Sequence, residues 1–268
     1  MRRLLVVFAL LAVACGTSTG APNSSISADD TSPIQLSLRY RTGDQDTYVL
    51  REIFDGIVID QFGHAEPATF DVRAEEVTRA SAVASDGTAT LEVELRAINE
   101  TSSPVPPLPE GGDRYQLKLA PDGRVVGGGE AAIGGVAYTV AVAAQPFAIL
   151  AGNPVAPGDS WSSDYQRNDL PGAAVEAVHA DNHFERYELL DGIRVARVRT
   201  SLSMPVDREV DLGGHKLHEI GTVTARMTSE VDPVSGRFLE TDTNVDFELT
   251  AGGYRLTGTQ ILLLNRRQ

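Results

Sequence analysis

Residues 220–264 read IGTVTARMTSEVDPVSGRFLETDTNVDFELTAGGYRLTGTQILLL, and this stretch decides the fold. Three runs, Ile220 to Val231, Phe238 to Leu249 and Tyr254 to Leu264, alternate apolar with polar side chains. A period of two places one set of side chains on each face of a strand, whereas a helix would need a period of 3.6. Between the runs stand Asp232-Pro233-Val234-Ser235-Gly236 and Gly252-Gly253, residues that favour tight turns. Strands joined by turns this short pair antiparallel.

The same grammar extends back along the chain. Ile34, Leu36, Leu38 and Tyr40 alternate with polar residues, and Tyr48, Leu50 and Glu52 begin a strand that runs through Ile53 to Ile59. Asp86-Gly87, between Val72–Val83 and Thr88–Ile98, and Asp191-Gly192, between His183–Leu190 and Ile193–Leu202, are hairpin signals. Tyr115 to Leu119 turns through Pro121-Asp122-Gly123 into Arg124–Val126. The expectation is a mostly β, antiparallel curved sheet or half-barrel of about a dozen strands. The series is interrupted by Glu130–Leu150, in which Ala131 to Gln145 predicts a short buried helix that ends at Pro146 and fills the concavity.

Two halves, residues 34–127 and 154–265, share an order of signals. Gly43-Asp44 opens the first and Gly158-Asp159 the second, each followed by an aromatic residue, an Asp-Gly hairpin and a turn ending in Gly-Arg at 123–124 or 236–237. Duplication of a half-sheet and coincidence of turn grammar both account for this order.

The first 33 residues follow other rules. Arg2 and Arg3 precede an apolar run from Leu4 to Val13, too short for a bilayer core of about 30 Å. Residues 1–14 read as a signal peptide cleaved between Ala14 and Cys15. The chain has one cysteine, so no internal disulfide and no cysteine-rich zinc site can form. Leu11-Ala12-Val13-Ala14-Cys15 resembles a bacterial lipobox, which implies that Cys15 is lipidated and becomes the first mature residue. Residues 16–33, GTSTGAPNSSISADDTSP, have the composition of a flexible tether behind it. As a random coil they span on the order of 20–25 Å. Residues 34–268 are then a single β domain.

Charge narrows the partners. The chain carries −14, and loss of Arg2 and Arg3 leaves 21 basic residues of the 23 against 37 acidic ones, a mature charge of −16. Such a chain lacks the basic footprint of a nucleic-acid binder and is not drawn to an anionic membrane by its own field. Membrane attachment is expected through acyl chains on Cys15, worth about 0.8 kcal/mol per buried CH₂. The expected address is a cell membrane or outer membrane, facing the periplasm or the exterior.

Pro154-Val155-Ala156-Pro157-Gly158-Asp159-Ser160-Trp161 resembles a P-V-x-x-G-D-S-W element of uncharacterised bacterial lipoproteins. The overall plan is also similar to the LolA/LolB and LppX-like lipoproteins, in which a curled antiparallel sheet holds acyl chains. That likeness rests on architecture and carries over no site residue.

Chemistry-bearing motifs are sparse. His215 and His218 do not form H-E-x-x-H and precede strand residues. His179 and His183 share a face without an evident third ligand, and Asp232, Asp242 and Asp246 lack a calcium loop. No metal or cofactor is expected. Gly158-Asp159-Ser160-Trp161 is not a nucleophile elbow and reads as a turn into a strand, with Trp161 packed on the core. Ser103–Pro109 is rigid and reads as a hairpin loop, and Gly127-Gly128-Gly129 lacks the lysine of a phosphate loop. Two functions follow: a non-enzymatic envelope lipoprotein that binds an apolar ligand or lipid on a concave β face, or one whose β surface engages an envelope protein partner. A hydrolase with an unadvertised site is the weaker alternative.

Overall fold

The structure, a computed structural model, describes residues 31–103, 113–128, 147–167, 176–212 and 215–267. Eleven strands follow one another: β1 (Gln45–Ile59), β2 (Ala65–Val83), β3 (Ala89–Ser103), β4 (Asp113–Leu119), β5 (Val125–Gly128), β6 (Ser160–Arg167), β7 (Glu176–Leu190), β8 (Ile193–Leu212), β9 (His215–Asp232), β10 (Arg237–Ala251) and β11 (Tyr254–Arg266). Among the described residues there is no helix. The segment 131–145, Ala14 and Cys15, and the proline-rich residues 104–109 lie outside them.

Every pairing is antiparallel, and the sheet order is β5-β4-β3-β2-β1-β11-β10-β9-β8-β7-β6. Each strand therefore pairs with its neighbours in sequence except at β5 and β6, the two edges, and β1 pairs with β11 inside the sheet. The edge strands β5 and β6 come into contact, so the half-barrel of the sequence becomes a nearly closed barrel. Long strands drive this curling, because a right-handed twist accumulated over eleven strands brings the edges together.

Turn chemistry sets the register. At the β7–β8 turn both Asp191 (φ 49°) and Gly192 (φ 83°) are left-handed, the geometry that a two-residue hairpin loop needs and that Asp-Gly tolerates. Alternation then does the rest. On β1 the side chains of Tyr48, Leu50, Glu52 and Phe54 point inward and are buried, while Arg51 and Asp55 face solvent. On β10 Thr241, Val245, Phe247 and Leu249 are buried, and Asp242, Asp246 and Glu248 are exposed. An apolar inside and a charged outside are the reverse of a membrane-spanning barrel, whose lipid-facing band is apolar.

Ile34–Tyr40 is not a strand, despite its alternation. It crosses one end of the barrel as a strap, with Leu36 and Leu38 buried. Its backbone bonds go to turns: Leu38 N–H donates to Pro121 O (2.7 Å) and Arg39 N–H to Gly236 O (3.3 Å). A second strap, Phe147–Val155, enters the same end, and Ile34 and Val155 exchange two backbone bonds of 2.8 and 3.0 Å. Phe147, Ala148, Ile149 and Leu150 are all buried. This part of the Glu130–Leu150 segment does enter the barrel, as extended chain.

The two halves are matched at the level of hydrogen bonds. Gly43 N–H donates to Ala80 O (2.8 Å) and Ala80 N–H to Asp44 O (2.9 Å); Gly158 N–H donates to Phe184 O (2.7 Å) and Phe184 N–H to Asp159 O (2.9 Å). Asp44 Oδ2 accepts Arg41 N–H (2.7 Å) and Asp159 Oδ2 accepts Ala156 N–H (2.8 Å). Strap, Gly-Asp turn and five-strand meander recur in the same order, β1–β5 and then β6–β10, with β11 left over to pair with β1.

Candidate functional site

An extended peptide inside a barrel has backbone groups with no ladder to join, and each must find a partner. The second strap finds side chains. Ala148 N–H donates to Ser229 Oγ (3.1 Å) and Ile149 N–H to Thr200 Oγ1 (3.1 Å). Those hydroxyls are held in turn, Ser229 with Thr241 at 3.0 Å and Thr200 donating to Asn182 Oδ1 at 2.7 Å. Phe147 stacks on Phe238 with ring centres 4.4 Å apart. Hydroxyl residues at inward positions of otherwise apolar strands were the available signal in the sequence for this plug. The first strap is fixed by ions instead: Arg237 reaches Asp44 and, at 3.0 Å, Asp46, and its guanidinium lies over Tyr40 at 4.1 Å. Burial beside Asp46 pushes the Tyr40 hydroxyl well above its usual range.

Beyond the plug the inner wall rises in layers fixed by register. One step past the strap, Glu52 on β1 pairs with Leu262 on β11, which pairs with Thr243 on β10. The next layer holds Phe54, Gln260 and Val245, and the one above it Gly56, Gly258 and Phe247. Phe54 stacks on Phe70 (5.0 Å, 8°) and on Phe247 (5.3 Å, 13°), forming an aromatic wall across β2, β1 and β10. The glycines make this possible, since a Cβ on Gly56 would sit 2.9 Å from the Phe54 ring. Val58, Leu256 and Leu249 form the uppermost layer.

Into this apolar wall the sequence also sets carboxyls, Glu52 among them. Glu52 is wholly buried, Gln260 Nε2 donates to its Oε1, and its Oε2 has no hydrogen-bond partner. Burial pushes the Glu52 acid from its ordinary 4.5 to about 8, against the smaller opposing pull of the Gln260 bond. Burial likewise raises Glu76, inward from β2, to about 7. Both positions have the parity of core residues, Glu52 with Leu50 and Phe54, and Gln260 with Leu262 and Leu264.

At the end opposite the straps, Ile57, Phe62, Ile220 and Tyr254 are exposed, Phe62 to 76%. Asp60 shapes the β1–β2 turn that carries Phe62, accepting the Phe62 and His64 N–H groups at 2.8 Å each.

Among the described residues, hollows lie on the outer surface. One, of about 1050 Å³ across β1–β4, is lined by Arg79, Arg96, Arg114, Arg266 and Arg267 together with Glu75, Glu92 and Glu94. Arg96 binds Glu94 (2.9 Å) and Glu75 (3.6 Å), and Arg267 also reaches Glu75. Another, of about 580 Å³, contains Ser160, Trp161 and His183. Gly158 and Asp159 form the turn described above, Ser160 opens β6, and Trp161 packs half-buried against the core. Ser160 Oγ lies 3.0 Å from His183 Nδ1. Among the described residues no carboxylate partners His183, and the pair sits on the exposed face of two strands with no oxyanion donors aimed at it, so the geometry of a serine nucleophile is incomplete.

The other histidines are dispersed. His179 pairs with Asp164 (2.7 Å), which raises its pKa, and His218 with Asp207 (2.6 Å). His179 and His183 thus face different partners, and among the described residues no cluster of three ligands could hold a metal ion. Asp232 caps its turn by accepting Val234 N–H (2.8 Å), and Asp242 and Asp246 lie on the exposed face.

No protein-family model and no curated protein matches this sequence. Among solved structures the chain is similar to DynF from the dynemicin biosynthesis pathway of Micromonospora chersina, at 10% identity over 92% of this chain and 86% of that one, with a TM-score of 0.23. A likeness that slight defines no function. The class is defined by the strands themselves: an all-β, up-and-down, nearly closed barrel of eleven strands, plugged at one end.

Proposed function

We propose that this protein is a lipid-anchored, non-enzymatic envelope protein whose barrel binds an apolar ligand. The observation that carries the reading is the inner wall: a continuous apolar and aromatic lining above a plugged end. Eight strands is the size at which inward side chains just fill a barrel. Eleven strands about 4.8 Å apart and tilted about 40° go round a perimeter of roughly 70 Å, a radius of about 11 Å. Inward residues such as Ala68, Ala74, Val72, Val245 and Thr243 are short for that radius. At the plugged end the strap occupies the axis; farther along, an apolar ligand takes that place. Cys15 supplies the anchor, and the tether of residues 16–33 leads to Ile34 at the plugged end. The exposed apolar residues at the other end support exchange of the ligand there.

Native mass spectrometry and solvent extraction of the purified protein test this. A co-purifying apolar molecule of fixed stoichiometry is expected. A barrel that carries nothing and takes up no alkane, alcohol or fatty acid would refute the reading.

A second reading, an interaction protein that uses its outer β surface, is supported by the arginine-lined hollow on β1–β4. It gathers five arginines against Asp46, Glu75, Glu92 and Glu94, and that small positive excess in a chain of net charge −14 would suit an acidic segment of an envelope partner. Capture of such a partner by wild type but not by Arg79→Ala/Arg114→Ala favours it.

A further inference from the structure

The end of the barrel opposite the straps carries an apolar rim. Phe62, in the β1–β2 turn, is 76% exposed, and Ile57, Ile220 and Tyr254 are exposed with it. Register gathers them. Ile59 pairs with Arg255, Arg255 with Thr250 and Thr250 with Ile220, so Ile57 and Ile220 face outward at one end of the same run of strands. The β1–β2 and β10–β11 turns adjoin, since a Cβ on Gly253 would lie 3.3 Å from the Gln61 side chain. Phe62 and Tyr254 project from those two turns. Elsewhere the outer face is polar, as on β10, where Asp242, Asn244, Asp246 and Glu248 point out.

The turn that presents Phe62 is closed upon itself. Phe62 N–H and His64 N–H donate to Asp60 Oδ1 (2.8 Å each), Gly63 N–H donates to Asp60 O (3.0 Å), and Asp60 N–H donates to His64 O (2.9 Å). The second carboxylate oxygen of Asp60 is taken by His64 Nδ1 at 2.9 Å. These donors need no water, so the turn can leave water without stranding them.

Shape and charge select the partner. At about 200 Å² for a whole large side chain, the four residues expose on the order of 400 Å². That is about half of what one side of a stable protein interface buries. They sit on projecting turns and an outward face, a form that enters a fluid surface. Around them Asp55, Asp60, Glu66 and Glu248 outnumber Arg255, which Glu248 holds at 2.8 Å. An anionic surface is therefore repelled.

We propose that this rim docks on a neutral, zwitterionic lipid bilayer, with the Phe62 and Tyr254 rings at the level of the head groups. Aromatic side chains favour that depth, and a polar-backed apolar tip reaches no deeper than about 5–10 Å. The docking stands apart from what the barrel holds. Its coupling to Cys15 rests on the lipid-anchor reading. Residues 16–33, fully extended, reach about 60 Å. Strands of fifteen residues tilted about 40° make a barrel about 40 Å tall. A chain leaving the plugged end thus reaches back to the bilayer that the rim touches, and the acyl chains keep a weak contact in place.

The test is flotation of residues 15–268 carrying Cys15→Ser with phosphatidylcholine vesicles at millimolar lipid. That chain holds all eleven strands and both straps, and it lacks acyl groups and the apolar run 4–13. Wild type is expected to float with the vesicles. Phe62→Ser should lower the partition coefficient about tenfold, the effect of withdrawing one largely exposed phenyl ring from lipid. Tyr254→Ser should lower it further, and Phe62→Leu should keep most of it. Replacing a third of the lipid by phosphatidylglycerol should weaken binding. Unfolding midpoints should not move, because both side chains are exposed. No flotation, equal flotation of wild type and Phe62→Ser/Tyr254→Ser, or tighter binding to phosphatidylglycerol overturns the proposal. A dimer in solution that Phe62→Ser dissolves assigns the rim to a second copy and also overturns it. Failure to float by a barrel that still carries an apolar molecule overturns the docking and leaves the ligand-binding reading standing.

Discussion

Glu52→Gln should stabilise the protein, and by an amount that grows with pH. The acid is raised from 4.5 to about 8 by burial. In the unfolded chain it ionises near its ordinary value; in the folded barrel it stays protonated. Stability from this group is therefore complete below about pH 4.5 and is lost as pH rises toward 8, because the unfolded state sheds the proton first. Each pH unit in that window costs about 1.4 kcal/mol. Integrated over both ionisations, the loss is under about 1 kcal/mol at pH 5 and about 4 kcal/mol at pH 8. Glutamine has the shape of the protonated acid and no ionisation to lose. Guanidinium unfolding of wild type and Glu52→Gln at pH 5 and pH 8 isolates the term, since Glu76 and Glu230, also raised by burial to about 7 and about 8, titrate in both proteins. The stabilisation should be about 3 kcal/mol larger at pH 8 than at pH 5. A pH-independent difference between the two proteins would refute the reasoning, because it would mean that Glu52 titrates alike in both states.

Three further outcomes follow from the same structure. Thr200→Val should cost about 1–3 kcal/mol, because it leaves the buried Ile149 N–H without an acceptor, and urea midpoints measure the loss. Asp159→Ala should cost about 1 kcal/mol through its lost turn bond to Ala156, and Asp44→Ala more, because Asp44 also holds Arg237; equal costs would contradict the ion pair's role in clamping the strap. A palmitate analogue should label wild type in cells and leave Cys15→Ser unlabelled; labelling of both would remove the lipid anchor.

Local features were legible because their causes are local. Asp191-Gly192 and Gly252-Gly253 mark hairpins through the backbone angles they tolerate, and alternation from Tyr48 to Ile59 names the inward face of β1 before any partner is known. The matched turns at Gly43-Asp44 and Gly158-Asp159 were visible as a spacing and acquire meaning from their identical hydrogen bonds. Ile34–Tyr40 shows the limit. Its alternation is that of a strand, yet its inward residues cap the barrel end, where the neighbouring turns at Pro121 and Gly236 supply its hydrogen bonds. Trp161 was expected on the core and packs against it, while the Ser160–His183 proximity joins residues on two paired strands and depends on their register.

By itself, then, the sequence determined an antiparallel β chain, its turns, the parity of its core and an acidic surface, all of which depend on neighbours a few residues apart. Only the tertiary structure decided that β1 pairs with β11, some 200 residues away, that Phe147–Leu150 plugs one end, and that Glu52 and Gln260 meet inside an apolar wall. The reason is physical: closure depends on twist summed over all eleven strands, and a carboxyl becomes a special group only when the whole ring has removed it from water.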